Sequence, residues 1–400
     1  MKERFLTGCW LLAFLCAILF AACHQQKNSN FTALIEAVGA KYAPDSRDEV
    51  YEITTVECGG RTELRGATTV AAAKAELLQR ARQQKKAWAL HDRITVLPDS
   101  SLNGKTFGIV NVSVADARLF PAYGAEMGTQ YLLGSPVTVL QKQDEWLRVR
   151  GSDGYLAWML ESNLTAFDRQ AFEQRNAATK VIFTDFFGFS YAKPDVHSQH
   201  VSDLVFGNML ELTDVSGSFY KVVYPDGREA YILQTQSRRY ADWLKMAEQT
   251  LTGKNVCTNA LKLMGIPYSW GGTSVKGMDC SGFVKTVYLM HGIVLRRDAS
   301  QQAKTGIAVA LTDNYENLQA GDLLFFGKKA KDGKRERIRH VAIYLGGRKF
   351  IHANGCIKIS SLDPSQPDYD AYNTSELLRA TRIIGAVGTD GIWQIGKTIN

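Results

Sequence analysis

The stretch that decides the fold of this chain is residues 278–283, with the sequence MDCSGF. It places Cys280 directly before apolar residues that recur at helical spacing, namely Phe283, Val284, Val287 and Tyr288. The spacing predicts a helix with Cys280 in its first turn and Asp279 as its N-cap. The positive end of the helix dipole favours a thiolate, so we expect the pKa of Cys280 to lie below its usual ~8.5.

Two histidines follow on predicted strands. His340 opens residues 340–346 (HVAIYLG), and His352 lies in residues 350–354 (FIHAN). A cysteine at a helix tip and two histidines on neighbouring strands are typical of a cysteine-nucleophile hydrolase. Because strand side chains alternate, a two-residue turn at residues 346–347 would point His352 away from His340. We therefore expect a three-residue loop or a bulge, which leaves both histidines on one face.

Two other interpretations of these residues exist. A single cysteine is often a small buried hydrophobe, and His340 could be a core histidine. The side chains of Cys280, His340, His352 and Cys356 could also supply zinc ligands, but the close Cys–Cys or His–His pairing of a structural zinc site is missing. We therefore expect neither a metal nor a cofactor.

The amino terminus indicates secretion. Lys2 and Arg4 precede an apolar run over residues 5–22, as in a signal peptide. The run ends at Cys23 in a pattern that resembles a bacterial lipobox, although Phe20 is a mild departure from it. The resemblance implies that residues 1–23 are a lipoprotein signal with a lipidated Cys23, which would anchor the protein to a membrane of the bacterial envelope, facing the periplasm. A secretory signal without lipid is the alternative.

Composition excludes other classes. The formal net charge of +7 suits an anionic envelope, and the chain has no basic stripe interleaved with aromatic residues, so we expect no nucleic-acid partner. The 7 cysteines are too few for a disulfide framework in a chain of 400 residues. Outside the signal they are Cys58, Cys257, Cys280 and Cys356. We expect a monomer.

The chain divides into several predicted domains. Short alternating strands with Gly, Asp and Pro turns occur twice in the same order, in residues 108–167 and 178–237. Each set predicts a small barrel that resembles a bacterial Src-homology-3-like domain. Residues 30–107 predict a mixed helical domain with a long helix over residues 68–90, and residues 240–400 form the domain with the cysteine and both histidines. The fold class is therefore α+β.

Several motifs occur in an ordered set within residues 250–385. They are residues 268–272 (YSWGG), 279–283 (DCSGF), 321–326 (GDLLFF), 340–346 (HVAIYLG) and 351–353 (IHA). This set resembles the NlpC family of cell-wall cysteine peptidases. The resemblance implies a papain-like domain whose catalytic helix packs on an antiparallel sheet. It also implies that Cys280 is the nucleophile, His340 the general base and His352 the residue that orients it.

With two barrels before the peptidase domain, the chain is similar to gamma-D-glutamyl-L-diamino acid endopeptidases of the dipeptidyl-peptidase VI type. Those enzymes cleave peptidoglycan stem peptides that have a free N-terminal L-alanine, between the gamma-linked D-glutamate and the diamino acid. The resemblance implies that Glu126 and Tyr155 of the first barrel meet the alanine ammonium. The other substrate-binding positions it implies are Trp270, Asp279, Ser281 and Asp298, while Arg339 is a candidate for holding substrate carboxylates.

The chemistry agrees with this assignment, because a charged amine in a closed cleft needs a paired carboxylate. Glu126 could instead be a solvated surface charge, Asp298 a helix cap, and Trp270 a core residue. Ala299 stands where the family often has a serine, so one substrate hydrogen bond that the resemblance implies is in doubt. Other functions remain open: a wall-binding lipoprotein without activity, an amidase or acyltransferase using the same residues, or a general endopeptidase of intact peptidoglycan.

Overall fold

The computed structural model describes residues 29–58, 61–84, 90–331 and 336–396. The predicted lipoprotein signal, with Cys23, lies outside these residues. Two compact units are present, of which the first ends at Leu102 and the second begins at Asn103. Within the described ranges, no helix is long and apolar enough to cross a membrane.

The first unit is a small α/β domain. Strand β2 pairs antiparallel with β1 and parallel with β3, and Leu64 and Leu77 are buried in its core. The helix predicted over residues 68–90 is shorter than expected, because it spans Ala71–Arg82 and Leu90 already begins a strand. The elements are α1 (Ser29–Tyr42), β1 (Tyr51–Cys58), β2 (Arg61–Thr68), α2 (Ala71–Arg82) and β3 (Leu90–Val96).

The second unit opens with a barrel whose seven-stranded sheet has the order β10-β4-β7-β8-β9-β5-β6. Alternating side chains such as Val137 and Val139 are buried in its interior, as the period of two predicts. The strands are β4 (Phe107–Val110), β5 (Val114–Arg118), β6 (Met127–Leu132), β7 (Pro136–Gln143), β8 (Trp146–Gly151), β9 (Leu156–Leu160) and β10 (Leu164–Phe167).

A short helix, α3 (Arg169–Ala177), leads to a second barrel. Asp168 caps this helix by accepting a hydrogen bond from the Ala171 N–H at 2.8 Å. The sheet order is β13-β12-β16-β15-β14-β11-β17. Read from its other end, this is the order of the first barrel with every strand number raised by seven. The strands are β11 (Lys180–Phe183), β12 (Phe187–Tyr191), β13 (His200–Val205), β14 (Met209–Ser216), β15 (Phe219–Val223), β16 (Glu229–Leu233) and β17 (Ser237–Arg239).

The carboxyl-terminal part of the second unit is an α+β domain. Its main sheet has six antiparallel strands in the order β21-β26-β22-β23-β24-β25, and one helix, α6, packs against β23 and β24. The helices are α4 (Tyr240–Gln249), α5 (Gly253–Leu261), α6 (Cys280–Leu289), α7 (Ala299–Gln302) and α8 (Ala371–Ser375). The strands are β18 (Thr273–Ser274), β19 (Gly277–Met278), β20 (Ile293–Leu295), β21 (Ile307–Val309), β22 (Leu323–Lys328), β23 (Arg337–Gly346), β24 (Lys349–Asn354), β25 (Cys356–Ser361), β26 (Leu377–Arg382) and β27 (Ile392–Gln394).

The core of this domain fixes the helix that the sequence pattern predicted. Phe283, Val284 and Val287 of α6 are completely buried against Val341 and Ile343 of β23. This packing holds the amino terminus of α6 beside the strand that carries His340. The fold is therefore the expected α+β arrangement, with a papain-like domain preceded by two Src-homology-3-like barrels and a mixed α/β segment.

Candidate active site

The candidate nucleophile is the first residue of α6. Asp279 caps the helix by accepting a hydrogen bond from the Gly282 N–H at 2.7 Å. Cys280 itself is only 8% exposed. The predicted cap and helix start are therefore both present. The thiol lies in the first turn of the helix that packs against the main sheet.

The two histidines lie on one face of the β23–β24 hairpin. Ile343 pairs with Ile351, and the register shifts between Tyr344 and Gly346. This bulge adds the one residue that is needed to bring both histidine side chains to the same face, because side chains alternate between faces along a strand. His340 Nε2 and His352 Nδ1 are consequently only 2.8 Å apart. The prediction of an odd loop or bulge is confirmed, in the form of a bulge.

Burial controls the charge of both rings. Burial, then His352 and Arg339, lower the pKa of His340 to about 3, with Asp370 opposing them. Burial also lowers the pKa of His352 to about 4, again opposed by Asp370. Both imidazoles are therefore neutral at neutral pH, as a general base must be.

The pKa of the Cys280 thiol differs from the sequence-based expectation. Burial and then Asp279 raise the pKa of Cys280 to about 12, although the backbone N–H groups of Val341 and Ser281 act to lower it. The expected low cysteine pKa is therefore wrong for this arrangement, because loss of solvation outweighs the helix terminus. Both the thiol and the imidazole are therefore neutral at neutral pH, so a nucleophilic attack by Cys280 would require transfer of its proton to a base, for which His340 is the predicted residue.

A fully buried arginine secures the cap of the catalytic helix. Arg297 donates to both oxygens of Asp279, at 3.2 Å and 2.6 Å, and to Ser281 Oγ at 3.0 Å. Its Nε donates to Thr129 Oγ1 of the first barrel at 3.0 Å. One guanidinium therefore links strand β6 to the first turn of α6, and a bidentate carboxylate contact of this kind is geometrically specific.

The same barrel approaches the loop before α6. Gly271 has φ 79°, and a Cβ there would lie 2.5 Å from the Met127 carbonyl oxygen, so only glycine permits this contact. The Gly271 N–H donates to Asp279 at 3.0 Å. Gln130 continues the contact, because its Oε1 accepts from the Thr273 N–H at 3.0 Å. Barrel strand β6 and the peptidase loop thus form one continuous wall.

Two predicted substrate-binding residues meet at this wall. The Trp270 indole Nε1 donates to Glu126 Oε1 at 2.8 Å. Glu126 is exposed and Trp270 is 61% exposed, so both present polar and aromatic surface to solvent. Trp270 is therefore not a core residue.

The remaining predicted residues have varied surroundings. Asp279 and Ser281 are buried and bonded to Arg297, which makes them parts of the helix cap in this structure. Tyr155 is 5% exposed and faces Gly128 of β6. Asp298 immediately precedes α7, where its backbone N–H donates to Gln301 Oε1 at 3.2 Å.

Arg339 occupies a bulge of β23 beside His340, because the register with β22 shifts after Phe326. Its guanidinium lies 4.3 Å from the Tyr372 ring centroid. It pairs with Glu376 and donates to Asn373 Oδ1 at 2.9 Å. The predicted carboxylate-binding side chain is therefore already held by a carboxylate of its own chain.

Sequence reasoning missed other members of the site. Arg297 could not be distinguished from Arg296 by any sequence signal. Tyr268 opens the YSWGG motif, and burial and the neighbouring Cys280 raise the pKa of its hydroxyl. Ser360 and Asp370 lie near the histidines, and only the strand pattern of residues 356–361 could have suggested Ser360.

The zinc alternative finds no geometric support. Within the described ranges, no three His, Cys, Asp or Glu side chains are grouped as metal ligands would be. Cys257, Cys280 and Cys356 are all free thiols. His340 instead bonds to His352, as expected of a base and the residue that orients it.

Comparisons with known proteins agree with this site. Residues 265–376 match the model of the NlpC/P60 family, and residues 118–164 match that of the bacterial dipeptidyl-peptidase Sh3 domain. A gamma-D-glutamyl-L-lysine dipeptidyl-peptidase of Bacillus cereus is 32% identical over 247 residues, which is 60% of this chain and 70% of the relative. One of Bacillus subtilis with the same name is 30% identical over 233 residues, covering 56% and 71%.

Among solved structures, an NlpC/P60 family protein from Bacillus cereus superposes with a TM-score of 0.57 at 26% identity. The match covers 69% of this chain and 99% of that one, so it includes more than the peptidase domain alone. Together with the cysteine at the helix tip and the paired histidines, these similarities show that the chain belongs to the NlpC/P60 family and is a cysteine peptidase.

Proposed function

We propose that this peptidase hydrolyses the bond between gamma-linked D-glutamate and the diamino acid in peptidoglycan stem peptides that have a free N-terminal L-alanine. The relatives in Bacillus cereus and Bacillus subtilis are named for a gamma-D-glutamyl-L-lysine substrate. The observation that carries the proposal is the contact between Glu126 and Trp270, 2.8 Å across the wall of the first barrel.

The charge at this wall fits the amino end of such a peptide. Glu126 is an exposed carboxylate, so it can pair with an ammonium group without a prior cost of burial. The family resemblance assigns Asp298 and Tyr155 to the same proposed subsite, and both lie near Arg297. A stem peptide whose alanine is amide-linked to muramic acid lacks the positive charge and adds bulk at this wall.

In the proposed reaction, His340 accepts the thiol proton as Cys280 Sγ attacks the γ-carbonyl carbon of D-glutamate. The imidazolium then protonates the amine of the diamino acid, which leaves as the carbon–nitrogen bond breaks. Water, deprotonated by His340, then attacks the thioester; the carbon–sulfur bond breaks, the D-glutamate carboxyl group is released, and His340 returns the proton to Cys280 Sγ. His352 holds the ring of His340 through all of these proton transfers.

The experiment compares L-Ala-γ-D-Glu-L-Lys, its meso-diaminopimelate counterpart, and the N-acetylated form of each, with products analysed by mass spectrometry. We expect the two free peptides to be cleaved to the same product, L-Ala-D-Glu, and the acetylated ones to be cleaved roughly a hundredfold more slowly, to N-acetyl-L-Ala-D-Glu. A Cys280→Ala enzyme is the inactive control. Equal rates on free and acetylated peptides would instead indicate a general endopeptidase of intact peptidoglycan.

We further propose that the protein is a monomeric lipoprotein of the bacterial envelope. The support for the lipid anchor is the apolar run over residues 5–22, which is followed directly by Cys23. Expression with an alkyne-labelled fatty acid should label the wild type and leave a Cys23→Ala protein unlabelled. Labelling that persists in the variant would contradict anchoring at this cysteine, and gel filtration would test the monomer.

A further inference from the structure

The hydrogen bonds of the two histidines continue beyond His352. The Nε2 atom of His352 lies 3.1 Å from Ser360 Oγ. His352 is completely buried and Ser360 is only 6% exposed. The contact is therefore enclosed by protein, where an unpaired ring N–H would be costly.

The topology of the sheet makes this contact specific. On the β24–β25 hairpin, Phe350 pairs with Ser360 and His352 pairs with Lys358. Ser360 is consequently the diagonal neighbour of His352 on the same face. Ser361 points to the opposite face, where its Oγ accepts from the Asp363 N–H at 3.0 Å.

The contacts of each ring dictate where its proton must be. His340 Nε2 is occupied by His352, so the thiol proton has to be accepted at His340 Nδ1. A neutral His340 with a free Nδ1 carries its hydrogen on Nε2 and donates it to His352 Nδ1. His352 must then carry its own hydrogen on Nε2, and this N–H donates to Ser360 Oγ.

We propose that Ser360 is a positioning residue of the peptidase reaction. Its hydroxyl accepts from His352 Nε2 and thereby holds both rings in the tautomers that leave His340 Nδ1 free to accept the thiol proton. The role concerns the cysteine peptidase reaction itself, whichever peptide is cleaved. In other peptidases, the wrong histidine tautomer removes the general base without removing the ring.

The charged groups around the rings act in a different way. Asp370 raises the pKa of both histidines, while Lys358 lowers that of His352 and Arg339 lowers that of His340. Asp370 accepts its hydrogen bonds from Asn373, at 2.9 Å from the backbone N–H and 2.6 Å from Nδ2. These groups therefore change how readily the rings are protonated, whereas the Ser360 contact selects the tautomer.

The test compares Ser360→Ala with Ser360→Thr and with the matched control Ser361→Ala, which removes a hydroxyl from the same strand on the other face. We expect Ser360→Ala to lower kcat by roughly tenfold to a hundredfold with KM unchanged. Ser360→Thr should recover most of the rate, and Ser361→Ala should stay within about twofold of the wild type. A kcat of Ser360→Ala within twofold of the wild type, or a loss confined to KM, would overturn the proposal.

A second measurement needs no substrate. Nitrogen-15 NMR of the histidine rings at neutral pH should show the Nε2–H tautomer for both His340 and His352 in the wild type. Ser360→Ala should shift both rings toward Nδ1–H, while Ser361→Ala should not. Unchanged tautomers in a folded Ser360→Ala protein would refute the role of Ser360, independently of which peptide the enzyme cleaves.

The pH profile gives a third readout. Because burial lowers the pKa of His340 to about 3, the acid limb of kcat/KM in the wild type should lie well below pH 6.5. The base is lost only as pH falls through this lowered value. Ser360→Ala should reduce the plateau across neutral pH, which a uniformly destabilised protein would not do at temperatures where it remains folded.

Discussion

The two barrels have the same strand order but different relations to the active site. In the first barrel, the loop between β5 and β6 carries Glu126 to the Trp270 indole. In the second barrel, the equivalent loop between β12 and β13 folds on itself, with Ser198 Oγ donating to the Lys193 carbonyl at 3.2 Å. The equivalent loops of the two barrels therefore differ: one contacts the peptidase domain through Trp270, and the other is held by a hydrogen bond of its own.

The charged contacts of the two barrels with the peptidase domain differ in burial. The first barrel binds Arg297 through Thr129, and its buried Asp153 pairs with Lys285 of α6. The second barrel contributes Asp203, which pairs with a half-exposed Lys276 at 2.6 Å. Because buried charges need their partners and exposed pairs contribute little, the charged contacts of the first barrel should contribute more than this pair, while the second barrel also adds buried apolar side chains to the core of the peptidase domain.

The largest expected effect follows from removing the buried guanidinium. Arg297→Met leaves the buried Asp279 carboxylate without its cation, which should lower the free energy of unfolding by about 3 kcal/mol and abolish most activity. Denaturant unfolding and peptide hydrolysis measure both. Arg296→Met is the matched control, since Arg296 pairs with a highly exposed Asp390. Equal losses in both variants would contradict a special role for Arg297.

Neutralising the carboxylate at the barrel wall should have the next largest effect. Glu126→Gln keeps an acceptor for the Trp270 indole but loses the charge, so we expect kcat/KM on the free tripeptide to fall roughly tenfold. The rate on the N-acetylated peptide should hardly change. Glu145→Gln, an exposed acid of the same barrel, is the control. A variant as active as the wild type on the free tripeptide would reduce Glu126 to a surface charge.

A smaller effect should follow from cutting only the barrel side of the arginine network. Thr129→Val removes the acceptor of Arg297 Nε while preserving side-chain shape, at a cost of about 1–3 kcal/mol in stability. Because the guanidinium keeps Asp279 and Ser281, activity should fall only a few-fold. Thermal unfolding and kcat together test this. Unaltered stability would mean that Thr129 does not contribute to docking of the barrel.

The smallest effect should come from the second barrel. Asp203→Asn weakens its pair with Lys276, whose side chain is 41% exposed. We expect less than about 1 kcal/mol of destabilisation and a rate within twofold of the wild type. A loss as large as that of Thr129→Val would show that the two barrels are more alike in function than their burial indicates.

The sequence was sufficient where a strict period or a local cap decides the structure. Because strand side chains alternate between faces, the two histidines could share a face only with an odd loop or a bulge in the hairpin, and the structure has a bulge. The helical spacing and Asp279 located the start of α6 at Cys280. The common topology of the barrels was likewise visible as two sets of strands in the same order.

Adjacent residues of the same type show which side-chain environments could not be predicted from the sequence. Arg296 and Arg297 are adjacent, yet the first lies over the Trp393 ring near the surface and the second is buried on Asp279. Ser360 and Ser361 are separated in the same way by the two faces of β25. The prediction of a low pKa for Cys280 was wrong. The effect of a helix terminus on a thiol can be predicted from local sequence, whereas the loss of solvation depends on how the sheet covers the thiol.

The bulge between Tyr344 and Gly346 also limits which insertions and deletions the β23–β24 turn can accept. Surface hairpin turns usually accept the insertion or deletion of one residue. Here such an event would exchange the faces of β24 and present an apolar neighbour, Ile351 or Ala353, to His340 in place of His352. The length of this turn is therefore expected to vary among functional descendants only in steps of two residues.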